Sequence, residues 1–546
     1  MKHPSLFEPA LFVASIALAL LGVVIGLELI TRVGVTPNTS VIGAMLAMVV
    51  ARVPLEALQS FRSVARQNLL QTVISSATFG GANAVFLPLG IAWLVGGREL
   101  WLPMFIGATL GMLIGATILY WLFDSPIYPA SGSWPAGVAT AECLIAGDQG
   151  GRRAALLIAG VAGGATGQAL GIPMDVVGIC WIGNVVALAM FGVGLLAPAY
   201  TRTLAGIDIN AQYLPHGIMV GAGLVALVQM AWLVGARHPT NRSTDRSIAS
   251  RPSRGLRTPR AGVAAGLILN SIAAGLMVTA AGLHAAIPLA TLAAYTSFAA
   301  AAALTSALIV GISAMHAGWF PAFATALIVL LIGMAMRIPA VPLALIVGFT
   351  ASGGPAFADM GFDLKTGWIV RGGGSDPVAE VDGRRQQFIA AIVGFLIAVT
   401  FVWIVSDRYF SGGLIPPADR VYAATIAAGA SREVLLKLFI WAIPGAIVQA
   451  AGGSARQIGV LFATGLLIGN PAAGWTALIA LAFRALALKR YGDRAQGPMY
   501  VLAGGFLAGS ALMSFVKGAS ARTPGSREGM APPPSTLEDK LKKTWT

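Results

Sequence analysis

Three carboxylates stand where carboxylates are rare. Glu142 sits inside the small, apolar run 137–146, and Asp359 and Asp363 follow a Gly/Ser/Pro-rich stretch at 350–355. Burial disfavours the charged form of a carboxylate unless something pairs with it. A group that takes up and releases a proton needs that property. Acids inside apolar segments are functional by default, so Glu142 is the first candidate for proton coupling. A structural hydrogen bond to a neighbouring helix is the alternative. Asp359 and Asp363 are four residues apart and share a helix face. Two carboxylates on one face repel unless a cation or a proton lies between them. They read as a proton- or cation-coupling pair, or as a pair neutralised by Lys365. Glu28, with Arg32 at i+4, reads as a structural ion pair.

Neutral polar residues form two further groups. Asn68, Gln71, Thr72 and Ser75 fall at i, i+3, i+4 and i+7, so one helix face is polar. Facing lipid would leave those groups unpaired, so the face looks into protein or water; hydrogen bonds that hold helices together are the plainer use. Ser131, Gly132 and Trp134 lie among Pro129, Pro135 and Gly137, where Pro135 disfavours helix at Trp134. Amides at Ser131 and Gly132, with Trp134 as an aromatic wall, suit a substrate carboxylate; a tight turn is the alternative. The substrate-binding candidates are therefore Asn68, Gln71, Ser131, Gly132, Trp134 and Lys365.

Other chemistries lack their residues. His3, His216, His238, His284 and His316 are dispersed, without H-x-x-x-H or H-E-x-x-H spacing. There is no Walker A sequence and no G-x-S-x-G, which argues against ATP-driven transport and against that hydrolase type. No cofactor is expected. Cys143 and Cys180 read as buried, unpaired thiols.

The elements that must position these groups are membrane helices. The 546 residues are 56% hydrophobic and 11% charged, against about 25% charged in a soluble domain, and mean hydropathy is +0.78. The apolar runs are continuous rather than alternating, which excludes an outer-membrane barrel. The net charge of +14 reads as topology information and attraction to the lipid bilayer, not as nucleic-acid binding. The expected fold is all-α and polytopic in the cell membrane, with about 14–16 transmembrane helices. The apolar run near residues 9–30 is too long for a signal peptide and reads as an uncleaved first span.

Glycine at 107, 111 and 115 gives the span 101–122 a face for close packing. Broken segments are expected at 80–83, 128–147, 350–355 and 469–471, and an unbroken span at 176–196. Residues 237–260 carry seven arginines against one acid, Asp245, and read as a cytoplasmic linker. It divides an N-terminal half, 1–236, from a C-terminal half, 261–518; the tail 519–546 reads as disordered. From a cytoplasmic N-terminus, eight crossings return the chain to that linker only if 128–147 re-enters without crossing. Two halves with broken segments suit a transporter built from repeats, with its site at the interface between them.

Three stretches carry a resemblance to a known family. Asn68-x-x-Gln71-Thr72-x-x-Ser75, Tyr128-Pro-Ala-Ser-Gly132 through Ala141-Glu142, and Asp363-Leu-Lys-Thr-Gly367-Trp368 resemble motifs of the oligopeptide transporter (OPT) superfamily, which includes the yellow-stripe-like metal-chelate transporters. Arg384-Arg385-Gln386-Gln387 is similar to the basic-plus-glutamine run that follows them. The resemblance reaches to about Phe515 and implies a proton-coupled importer of peptides or metal-chelate complexes. Two departures are an insertion at 372–383 and the replacement of a Ser/Asn-rich segment by 314–320. The competing classes are an intramembrane transferase or hydrolase, using Glu142 and Asp363 as acid and base, and a passive channel. Oligomeric state stays open, a homodimer included.

Overall fold

The computed structural model describes residues 3–32, 39–52, 56–235, 259–318, 322–429 and 432–520. The first half folds as α1 (Pro9–Arg32), α2 (Thr39–Arg52), α3 (Val64–Phe79), α4 (Leu87–Gly96), α5 (Trp101–Leu122), α6 (Pro135–Gln149), α7 (Gly151–Ala169), α8 (Met174–Ile182), α9 (Val185–Ala205) and α10 (Leu214–Gly235). The second half folds as α11 (Pro259–Ala280), α12 (Leu283–Ala286), α13 (Leu289–Ala317), α14 (Ala322–Ala335), α15 (Ala340–Val370), α16 (Pro377–Ser411), α17 (Pro417–Ala428), α18 (Arg432–Arg456), α19 (Ile458–Ile468), α20 (Pro471–Tyr491) and α21 (Gln496–Ser520). Ten helical stretches among the described residues are long and apolar enough to cross a membrane, and four shorter apolar helices join them. No strand forms among the described residues; a lone bridge joins Phe123 to Tyr128. The architecture is the expected all-α, polytopic one. The basic linker and the tail fall almost wholly outside the described residues.

Two apolar cores form, and each draws on both halves of the sequence. One is built mainly from α1, α3, α4, α5, α11 and α13 to α17. The other is built mainly from α6 to α10 and α19 to α21; α2 contributes to both.

Hydrogen bonds define the two ends of the bundle. At one end Glu8 pairs with Arg66 (2.6 Å), the His3 amide donates to Asp382 (3.1 Å), and Arg384 donates to the Phe123 carbonyl (3.4 Å). The starts of α1, α3 and α16 and the end of α5 therefore meet there. At the opposite end Arg98 pairs with Asp407 (3.1 Å) and Tyr409 donates to Glu28 (3.1 Å). The side chain of Arg32 lies outside the description, so the expected Glu28–Arg32 pair does too.

The stretch 123–147 leaves and returns at the first end. Phe123 is held there by Arg384, and the Gly147 carbonyl accepts from Arg52 (2.5 Å), at the end of α2 just before the 3-10 turn Glu56–Arg62 that leads into α3. Between these points the chain is buried at Ile127, Tyr128, Ala130 and 134–141, with Asp124, Pro126 and Ser131 exposed; the Tyr128 hydroxyl donates to the Leu308 carbonyl (2.7 Å) and Thr366 donates to the Gly137 carbonyl (3.0 Å). This is the geometry expected of an element that enters the bundle and comes back.

Three expected boundaries are corrected. Residues 350–355 do not break the chain: α15 runs through them, and residues 341–367 are all buried. Pro355 cannot donate to the Ala351 carbonyl, but close packing holds the helix. Side-chain carbons on Gly111 and Gly115 would overlap Ser352 and the Gly353 carbonyl. The small residues thus serve the α5–α15 contact, not a break. Residues 80–83 do not break the chain either. Gly80–Phe86 turns as a π-helix joining α3 to α4, with the Phe395 ring against Gly80 and Val23 against Gly81. Conversely, 176–196 is interrupted at Gly183–Asn184, where the Asn184 side chain accepts from the Val186 and Ala187 amides and starts α9. The break at 469–471 stands as expected, with Gly469 left-handed and Asn470 capping α20.

A candidate coupling site: the buried acid pair

The polar face of α3 meets α15 and α16 inside the first core. Helical spacing puts Asn68, Gln71, Thr72, Ser75 and Ser76 toward α15, all fully buried. Gln71 Nε2 donates to Asp363 Oδ1 (2.6 Å), and Ser75 Oγ donates to Asp359 Oδ1 (2.7 Å). Ser76 Oγ stands 3.3 Å from Asp359 Oδ2 and 3.4 Å from Asp363 Oδ2. Asn68 Nδ2 donates to Gln71 Oε1 (3.2 Å), while Asn68 Oδ1 is buried without a partner among the described residues. From α2, Ser40 Oγ lies 2.9 Å from Ser75 Oγ. Of the expected site residues, Asn68, Gln71, Asp359 and Asp363 therefore come together.

The electrostatics follow from the charges around the pair. Asp363 is 0% and Asp359 2% exposed. None of the ion pairs among the described residues includes either carboxylate. A serine hydroxyl has one proton to give, so Ser76 can satisfy only one of the two Oδ2 atoms at a time; Ser40 also hydrogen-bonds the two carboxyls. These donors are neutral, and two buried anions side by side without a cation are strongly disfavoured. A proton on one carboxyl removes one of the two charges.

Lys365 does not neutralise the pair. Two residues along, it points elsewhere: Nζ donates to the Ala130 carbonyl (2.8 Å) and lies 4.4 Å over the Trp368 ring. That bond ties the entering loop to α15. Trp134 is also placed otherwise than expected. Its ring is fully buried beside Phe123, Tyr128 and Phe362, with Nε1 donating to the Pro129 carbonyl (3.2 Å), so it is core rather than a wall. The Gly132 amide is taken by the Pro129 carbonyl (2.9 Å), which makes that segment a tight turn; Ser131 is exposed. Glu142 pairs with Arg153 of α7 (2.5 Å) at the end of the bundle where α6 returns.

Spacing did not single out Gln387 of α16. Its Nε2 donates to the Asp363 carbonyl (2.7 Å) and stands 3.4 Å from Thr72 Oγ1; its Oε1 accepts from Arg371 (2.7 Å). Arg371 grips Glu380 through two nitrogens (2.8 and 3.1 Å), and Arg384 binds the same carboxylate (3.1 Å). Glu380, Arg384 and Gln387 stand at i, i+4 and i+7, so the signal was one helix face.

A family model, OPT oligopeptide transporter protein, matches residues 9–236 and 159–520. The chain belongs to the OPT family. No curated protein matches it. Family membership and the membrane helices make it a multi-pass membrane transporter with a small-molecule substrate.

Proposed function

We propose that this OPT-family transporter is a proton-coupled importer in the cell membrane, moving oligopeptides or metal-chelate complexes, with Asp359 and Asp363 as the proton-binding pair. The observation that carries the reading is two buried carboxylates that share the Ser76 hydroxyl and have no ion-pair partner among the described residues. Two buried acids held together without a cation bind a proton and give it up when the surrounding helices rearrange or water enters. Asn68 Oδ1 adds an acceptor without a partner among the described residues next to Gln71, so this face favours a cationic group such as a peptide ammonium. The exposed Ser131 lies on the same loop as Ala130, which Lys365 holds. We assign substrate contact to Asn68, Gln71 and Ser131, with Gly132, Trp134 and Lys365 shaping the loop. Glu142, already paired with Arg153, is assigned to holding α6 on α7.

The test is a proteoliposome uptake screen of peptides and metal chelates with and without an imposed pH gradient. Gradient-dependent accumulation is expected, lost in Asp359→Asn and Asp363→Asn while downhill flux persists. Wild-type accumulation in the double variant would remove the pair from coupling.

A further inference from the structure

A separate buried carboxylate lies toward the opposite end of the bundle. Asp419 stands in the first turn of α17, which follows α16 and is not among the candidate spans. Asp419 is 0% exposed, and neither Oδ1 nor Oδ2 has a hydrogen-bond partner among the described residues. The carboxyl lies directly against the backbone of Gly90 in α4, where a side-chain carbon would overlap Oδ2.

No neighbour among the described residues hydrogen-bonds it, and Arg420 only partly offsets its charge. α4 and α14 contain no titratable residue. The charged residues of α15, Asp359, Asp363 and Lys365, belong to its distant half and are engaged there. The Tyr422 hydroxyl is spent on the Phe323 carbonyl (2.9 Å), and Arg420 donates to the Gly413 carbonyl (3.3 Å). Asp407 is held by Arg98, and Tyr409 by Glu28. Burial accordingly pushes the Asp419 carboxyl well above the usual carboxylate range.

We propose that Asp419 is a second proton-binding site, which latches α17 onto α4 when protonated and releases it when ionised. The ligand is a proton rather than a metal ion. An ion such as Ca²⁺ or Mg²⁺ needs several oxygens at about 2.0–2.6 Å, and no metal-ligating group of side chains forms among the described residues. An unpaired carboxylate here is far costlier than a neutral carboxyl. The helix has joints at which to swing: Gly413 (φ 74°) precedes it and Gly429 (φ 71°) follows it. The site stands independently of the Asp359/Asp363 reading.

The sign follows from linkage. In the open state Asp419 meets water and titrates near the ordinary value of about 4. The closed state keeps its proton to higher pH. Closure is therefore most favoured at low pH and weakens by up to about tenfold per pH unit above about 4, until the closed-state value is reached.

Hydrogen–deuterium exchange of residues 417–428 in the full-length protein in lipid nanodiscs tests this, between pH 5 and 8 with rates corrected for intrinsic chemistry. The wild type is expected to open by up to about tenfold more per pH unit, and Asp419→Asn to stay closed with a flat profile. A protonated-carboxyl infrared band at neutral pH is expected to disappear in Asp419→Asn. If that variant does not fold, Asp419→Ala removes the titration and is likewise expected to be flat. A flat wild-type profile, or the wild-type slope in either variant, overturns the latch. Asp363→Asn is expected to leave the slope unchanged, so failure of the acid-pair reading stays distinguishable.

Discussion

The layer between α3, α15 and α16 and the layer between α7 and α21 are both tightly packed, but they use close approach differently. In the first, buried space goes to amides, hydroxyls and two carboxylates, each placed for a named partner. In the second, glycines bring two backbones together: Gly160 meets Gly505, and Gly164 lies against the Phe506 backbone. Without water to drive helices together, packing and interhelical hydrogen bonds are the available attractions. The α7–α21 layer is mainly backbone contact, with polar groups confined to its end, where Gln168 meets Ser510 and Ser514 and Lys517 caps the Gln168 and Ala169 carbonyls. The α3–α15–α16 layer instead places two carboxylates at its centre, which packing does not require.

The largest effect is expected where there is no slack. Gly164→Leu places a side chain into the Phe506 backbone, with Cβ itself 2.5 Å from the Phe506 carbonyl oxygen. Overpacking of this kind costs about 3 kcal/mol, read as lost monodisperse protein by size-exclusion chromatography. Next, Asp363→Asn keeps the shape and removes a titrating group. If one proton drives each substrate, one pH unit sustains about tenfold accumulation, and the variant is expected to fall to none while keeping its melting temperature. A drop in stability as large as that of Gly164→Leu would mean that the acid layer, too, is built for packing.

A smaller effect is expected at Gln387→Leu. It leaves the Asp363 carbonyl and the Arg371 guanidinium each one partner short, about 1–3 kcal/mol. Thermal unfolding reads that loss, and weakened gradient-driven uptake would show that Gln387 positions the pair. The smallest belongs to Glu142→Gln. The Arg153 side chain is 38% exposed, and a pair so wetted is worth no more than about 1 kcal/mol. Uptake is expected to keep its pH dependence. Abolished coupling in a folded Glu142→Gln protein would return Glu142 to the proton path.

Much of this was legible in the residues themselves. A charge deficit and long apolar runs decide the class, because a bilayer core admits few charges and no unpaired backbone. Helical period put Asn68, Gln71 and Ser75 on one face and Asp359 and Asp363 on another, which is local geometry. The three motifs also sufficed for the family. Partnership was not legible. Gly and Pro at 350–355 signal a break by local propensity, yet α15 continues through them, packed against neighbouring helices. Lys365 is near the acids in sequence, but a helix turns about 100° per residue, and its partner is a carbonyl 235 residues away. Nothing local marks Asp419, since its isolation depends on what α4 and α14 lack. Sequence fixes which groups a helix carries and on which face; only packing between distant segments decides whether a buried charge finds a donor.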